Sequence, residues 1–481
     1  MRRSSRRTSA RTAWAILACA GALGFCPLAQ GYEPATTHAG LTDRAVEASR
    51  LHTLLARLGR PLGLLEPLHI GFDLLGQDER RALQARLDTL DPAGGYRPGP
   101  DGAEGAGAWV MAGAVLANTP PERAANHFLD PANHKGLDDA PGLSGIAHSL
   151  RLFLDGGTSV RGLAAGTAFT LQGKSALDWL SSPGNDLSVP VFFNNWERAV
   201  TLAEPRARES ALVRALLALG GVMAVLEDVG QPAFVRNDFR GDFLHGDAGS
   251  AYEQFVEEHY GRTGLPAAAA PVSRPDLASF FASADGQGLA NRTQRRFFSE
   301  GTMPADISLD RDTKVDDVVR RARESLTYPS PTVSALALRS DHRRRYLVVE
   351  GHRVLAYENS GSQVRFLLDD AVHADMARAL LPEIAGYAAG LHNHLLRASL
   401  EMTAAGGKVT IRLGGVGQGG VRVFAEDTSG HRRELPGAAA SLLPGAELVV
   451  DVPAGARKLA AVLRGHDTSG PFVAAGELAL P

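Results

Sequence analysis

The chain has 481 residues, 44% of them apolar and 21% charged, with 53 Gly and 27 Pro. That length predicts two or three domains rather than one core, and the composition excludes a disordered chain. The formal net charge is −3, and removing five Arg that lie before position 32 takes it to −8, which argues against nucleic-acid binding by bulk electrostatics.

Those five residues, Arg2, Arg3, Arg6, Arg7 and Arg11, lead into an apolar run from Ala13 to Phe25. The run is too short to span a bilayer and reads as an export signal over residues 1–31, cleaved before Tyr32. The only cysteines, Cys19 and Cys26, fall inside it, so the exported chain is expected to carry neither disulfide nor thiolate metal site. No later segment reads as apolar enough to be transmembrane. The expected location is the periplasm or the medium.

Residues 39–59 carry Leu41, Ala45, Ala48, Leu51, Leu54 and Leu55 at helical spacing, ended by Pro61 and Gly63. Residues 91–107 read as a Gly/Pro/Asp loop, and 143–180 as helices broken at Gly156 and Gly157. Residues 206–229 give the strongest helix, apolar all round after Ser210, which predicts a central position. Residues 263–274 are Ala/Pro-rich and read as a surface loop, 345–358 as a small hairpin around Glu350-Gly351, and 370–400 as helix again. From Lys408 short strands alternate with Gly/Pro turns, a β-sandwich-like module of about 75 residues. The Gly-rich stretch 414–420 precedes a strand, not a helix, and reads as a hairpin turn rather than a phosphate loop. The expected organisation is therefore mainly α: a helical domain over 32–400 and a β-sandwich-like domain over 401–481.

Three passages carry a resemblance. Thr37-His38-Ala39-Gly40-Leu41-Thr42 follows the export signal; Asn126-His127-Phe128-Leu129-Asp130-Pro131 comes next; Leu226 to Asp238, followed by Ser250-Ala251-Tyr252-Glu253, is the third. In order and spacing they resemble the bacterial zinc-dependent phospholipase C and single-strand nuclease superfamily over roughly residues 32–260. The resemblance implies an all-helical bundle around three zinc ions that hydrolyses phosphodiesters. Clustered zinc ions suit that chemistry because they lower the pKa of a bound water and stabilise the leaving oxygen.

Carried over by position, the resemblance implies a damaged site. His38, His127, Asp228 and Glu253 stand at ligand positions, as does the amino terminus of Tyr32 after cleavage. Ala224, Phe234 and Gly249 stand where the family has imidazoles, and Asn118 where it has an acid. Ala, Phe and Gly offer no side-chain donor. The expectation is at most one zinc per chain, on the Tyr32 terminus, His38 and Asp228, with Asp228 the residue for any remaining catalysis. Phe234 is expected to fill the pocket beside Ala224. Asp228 needs a buried partner, for which His38, Arg236 or a metal qualify. His134, His148, His245, His259 and Asp178 are the candidates for replacement ligands.

Three functions follow from the residues. The first is an exported phospholipase C/nuclease-like protein, non-catalytic or weakly active, meeting phospholipid, a membrane surface or another envelope partner. The second is an active zinc-dependent phosphodiesterase with replacement ligands. The third is an envelope binding or adhesive protein acting through its β domain.

Overall fold

The computed structural model describes residues 32–90, 102–119, 121–137, 173–238, 250–308, 337–341, 344–360, 363–415, 417–436 and 440–480. The expected export signal, most of the 91–107 stretch, the Gly156-Gly157 break, His148, His245 and Gly249 lie outside the described residues.

The architecture is a helical body followed by a C-terminal β module. The central helix runs Pro205–Asp228, opened by Pro at its first position. From Ser210 to Asp228 every residue except Arg214 is buried, as its unbroken apolar character predicts. It is also long and apolar enough to cross a membrane, which corrects the expectation that no later segment qualifies. In this fold that apolar stretch is 89% buried inside the protein, so the surrounding helices take the place of lipid.

A second apolar helix, Ala106–Ala117, packs on it. The two backbones touch through glycines. A Cβ on Gly113 would sit 2.0 Å from the Leu217 carbonyl oxygen, and one on Gly220 would sit 1.8 Å from that of Val110. Neither backbone can yield without separating the helices. Gly220→Ala is therefore expected to cost about 3 kcal/mol, at the upper end for overpacking, read as a fall in the urea midpoint with unchanged slope.

The periodic stretch 39–59 forms two helices, Ala39–Ala48 and Leu51–Arg57, broken at Ser49-Arg50, where the Ser49 hydroxyl accepts from the Leu51 N–H. The long helix Asp370–Leu395, N-capped by Asp369, packs on Ala39–Ala48, on the central helix and on strand His352–Ser360. Residues 263–274 carry neither helix nor strand and are mostly exposed or half-buried. They lie along this long helix, with the Ala269 and Val272 N–H groups donating to the Pro382 and Gly386 carbonyls. The predicted hairpin is present, and both turn residues take positive φ, Glu350 at 52° and Gly351 at 86°. It belongs to a larger antiparallel sheet in which Ile307–Ser308, Gln363–Leu367, His352–Ser360, Arg344–Val349 and Ala337–Asp341 lie side by side in that order.

The C-terminal strands form two antiparallel sheets. One orders Glu447–Asp451, Lys408–Gly414 and Ser399–Ala405. The other orders Arg432–Glu434, Gln418–Glu426, Lys458–Asp467 and Gly470–Ala479, with Ala440–Leu442 also pairing Gln418–Glu426. Strands 408–414 and 418–426 lie in different sheets. The Gly-rich stretch therefore carries the chain from one sheet to the other, which corrects the hairpin reading. Val409, Ile411, Val423, Leu459, Ala461 and Leu463 fill the sandwich interior. Phe424, Ala460, Val462, Val473 and Ala475, on the opposite face of the larger sheet, join the core of the helical body. That sheet packs on helix Val189–Thr201. Burial on both faces explains why Leu459 to Leu463 reads as a continuous apolar run instead of an alternating one.

Candidate functional site

The central helix ends in two carboxylates, Glu227 and Asp228, both fully buried. A buried carboxylate is costly unless charged or hydrogen-bonding groups meet it. Here they do. A short π-helix, Pro34–His38, capped by the Glu33 side chain on the Thr36 N–H, delivers His38 to the helix end. His38 lies between the two acids, with Nδ1 2.7 Å from Glu227 Oε2 and Nε2 3.1 Å from Asp228 Oδ1. Thr42, one helical turn on, donates to the other Glu227 oxygen at 2.7 Å. His127 places Nδ1 2.6 Å from Asp228 Oδ2. The Gln231 amide, just past the helix end, donates to Asp228 Oδ1 at 2.9 Å.

Three of the predicted positions, His38, His127 and Asp228, thus meet in one cluster. The sequence reading missed Glu227 and Gln231. Arg236, one expected partner of Asp228, instead donates to the carbonyls of Phe297 and Gln294.

Burial dominates the electrostatics and then loses to the pairing at two of the four groups. At His38 burial disfavours the charge, but Asp228 and Glu227 together outweigh it and push its pKa up to about 10. At Asp228 burial would raise the pKa, but His38 and His127 hold it below the ordinary carboxylate range. Burial wins at Glu227, which moves up, and at His127, which moves down. The cluster is thus an imidazolium–carboxylate pair flanked by a neutral imidazole.

The remaining predicted positions separate from it. Tyr32 is fully buried, its ring edge-on to His38 with centroids 5.9 Å apart. Its hydroxyl lies 3.1 Å from that of Tyr252. Glu253 accepts from the Ser250 N–H at 2.7 Å, and its own N–H donates to the Ser250 hydroxyl, completing a capping box at the start of helix Ala251–Tyr260. Burial pushes its pKa well up. Asn118 caps the end of helix Ala106–Ala117, buried, with neither amide atom bonded among the described residues. Ala224 is buried in the main core.

Phe234 is buried but does not fill the space beside Ala224. It belongs to a separate cluster with Ala125, Phe128, Leu137 and Ala233, and stacks on Phe128 at 4.3 Å between centroids. The physical reason is the short helix Pro232–Val235, which anchors position 234 to the Asn126–Pro131 passage. There the Leu129 N–H donates to the Phe234 carbonyl at 3.0 Å. Of the replacement candidates, His134 is exposed, His259 is exposed and stacks on Phe255 at 4.0 Å, and Asp178 bonds the Ser175 hydroxyl at a helix start.

For a metal, the donor chemistry divides. Among the described residues no three His, Cys, Asp or Glu side chains are grouped so as to hold one ion. His38 and Asp228 are donor types a metal could use if His38 gave up its proton, and Glu227 on His38 Nδ1 would then orient the ring. A three-ion set does not fit: Ala224 has no donor, Phe234 packs on Phe128, and Glu253 is engaged with Ser250.

No family model matches the chain, and no curated protein matches it. Among solved structures, the alpha toxin from Clostridium absonum aligns over 94% of this chain and 96% of its own, at 12% identity and a TM-score of 0.25. An alpha-toxin from an avian strain of Clostridium perfringens aligns over 93% of this chain and 99% of its own, at 9% identity and a TM-score of 0.24. Scores at that level carry no inference about activity, so function is argued from the chain's own residues.

Proposed function

We propose that this is an exported phospholipase C/nuclease-like protein whose zinc site has shrunk to one ion or none, leaving it non-catalytic or weakly active toward phosphodiesters. The observation that supports this reading most is the buried His38–Asp228–His127 cluster. The three passages of the resemblance converge there, while Ala224 and Phe234 contribute no donor. Tyr32, His38 and Asp228 would hold the one ion, and Glu227 would orient His38. A zinc ion there would polarise a phosphoryl oxygen and acidify a bound water. One ion lacks the paired clamp on the attacking and leaving oxygens, so turnover is low. The surface served would be phospholipid or another envelope component.

Elemental analysis of the exported chain, with turnover assays on phosphatidylcholine and single-stranded DNA, tests the reading. The expected result is at most one zinc per chain and turnover orders of magnitude below that of a three-zinc enzyme, since loss of major electrostatic stabilisation costs about 10²–10³ per donor. Two or more zinc ions with brisk turnover would overturn it.

A further inference from the structure

The outer side of helix Asp370–Leu395 bounds an open cleft of about 520 Å³, formed with helix Leu289–Arg296, residue His352 and the extended residues Ala269 and Val272. The same helix turns Ile384 inward onto Gly230, just beyond the Asp228 cluster, so the cleft lies on a different face from that cluster. Its charge is unbalanced. Among the described residues, Glu383 is the one carboxylate paired with both Arg292 and Arg296. Asp375 likewise serves both Arg353, through Nε at 2.8 Å and Nη2 at 3.0 Å, and Arg378, through Nη1 at 2.6 Å. Each carboxylate is shared by two guanidiniums. Glu350, exposed at the hairpin tip, is a further acid acting on Arg292.

Donors remain. Among the described residues, beyond Glu383, Arg292 bonds only Gln287 by side chain, and Arg296 only the Arg292 carbonyl. Among the described residues Arg378 uses one nitrogen, and it is 64% exposed. The rest of the wall is His352 together with Ala269, Val272, Ala379, Pro382 and Tyr387. The volume exceeds what a phosphate ion needs, and several planar guanidinium forks on one concave wall suit phosphate oxygens better than a point charge would.

We propose that this cleft binds an organic phosphate ester, its phosphate on Arg292, Arg296 and Arg378 and its carbon portion against Val272, Ala379 and Pro382. The ester is either a soluble small molecule or a lipid headgroup presented at a surface. The site is independent of the proposed zinc chemistry.

The test is calorimetric titration of the full chain with glycerol phosphate and inorganic phosphate. Sedimentation with vesicles of phosphatidylcholine, alone or mixed with phosphatidylglycerol, accompanies it. The double variant Arg292→Gln/Arg378→Gln should bind at least about tenfold more weakly, the worth of one charge-assisted hydrogen bond. Arg412→Gln, in the β module, should leave binding unchanged. If the double variant melts early, Arg378→Gln alone serves, because Asp375 retains Arg353. Soluble esters binding with that variant pattern assigns a small-molecule ligand; vesicle binding alone with the same pattern assigns a lipid headgroup. No binding of any probe, or equal losses in Arg412→Gln, overturns the proposal.

Discussion

Replacing Asp228 by Ala is expected to lower the unfolding free energy by about 3–5 kcal/mol, the usual cost of removing one partner from a buried ion pair. The magnitude follows from what the substitution strands. His38 keeps Glu227, but its Nε2 then faces no acceptor, and His127 and the Gln231 amide lose their shared carboxylate. All of these groups are fully buried, so water cannot take over without opening the core. Asp228→Asn keeps the shape and one acceptor oxygen, and should lose clearly less. Glu227→Gln should also cost less than Asp228→Ala, because the amide can still accept from Thr42. Urea unfolding followed by far-ultraviolet circular dichroism reads all three. A loss under about 1 kcal/mol for Asp228→Ala would mean that the cluster does not hold the helix ends together.

The same residues mark where sequence reasoning reaches its limit. The central helix was legible because no charged residue occurs between Ala215 and Leu226, a pattern that belongs to a helix buried on every side. That silence was also the available signal for Glu227: an acid directly after such a run, beside Asp228, must be buried with it. Phe234 was misplaced for a different reason. The expectation had the 228–232 turn fold the chain back over the helix end and bring position 234 beside Ala224, yet its direction is set by a contact with Phe128, more than a hundred residues away. Long-range pairing likewise decides the Gly-rich stretch. Local turn chemistry looks the same whether the next strand pairs with the last or crosses to a second sheet. Only the registers of 408–414 with 399–405 and 447–451 settle it. In the β module, Leu459 to Leu463 lacks alternation because the sheet is covered by the sandwich interior on one face and by the helical body on the other. That shared core ties the module to the body, as do Arg432, which bonds Glu426, Glu477 and the Val200 carbonyl, and Arg397 on Asp467. Expressed alone, either part would expose apolar surface that the other now covers.

Acid is expected to unfold the chain early, with His392 a principal cause. This histidine sits fully buried in helix Asp370–Leu395, and neither ring nitrogen finds a partner among the described residues. Burial pushes its pKa down to about 3. It is therefore neutral in the native state across most of the acid range, whereas the unfolded chain takes up a proton there below its ordinary value of about 6.5. The unfolded state binds more protons throughout that window, so stability falls as the pH drops from about 6.5 toward 3. The contribution reaches at most about 5 kcal/mol at the acid end, at 1.36 kcal/mol per pH unit. His394, two residues on, is pushed down to about 4 by burial and by Arg397, and acts in the same direction. Asp467 and Glu477, held below their ordinary range by Arg397 and by Arg432 with Lys458, add to the loss as they protonate. His392→Leu separates the causes. It removes two unpartnered polar atoms from an apolar site at similar volume, so stability at pH 7 should hold or rise. The pH dependence between 6 and 4 should flatten by up to one proton. Chemical denaturation at a series of pH values reads the slope. An unchanged slope in His392→Leu would show that His392 is not the buried neutral group that sets acid sensitivity.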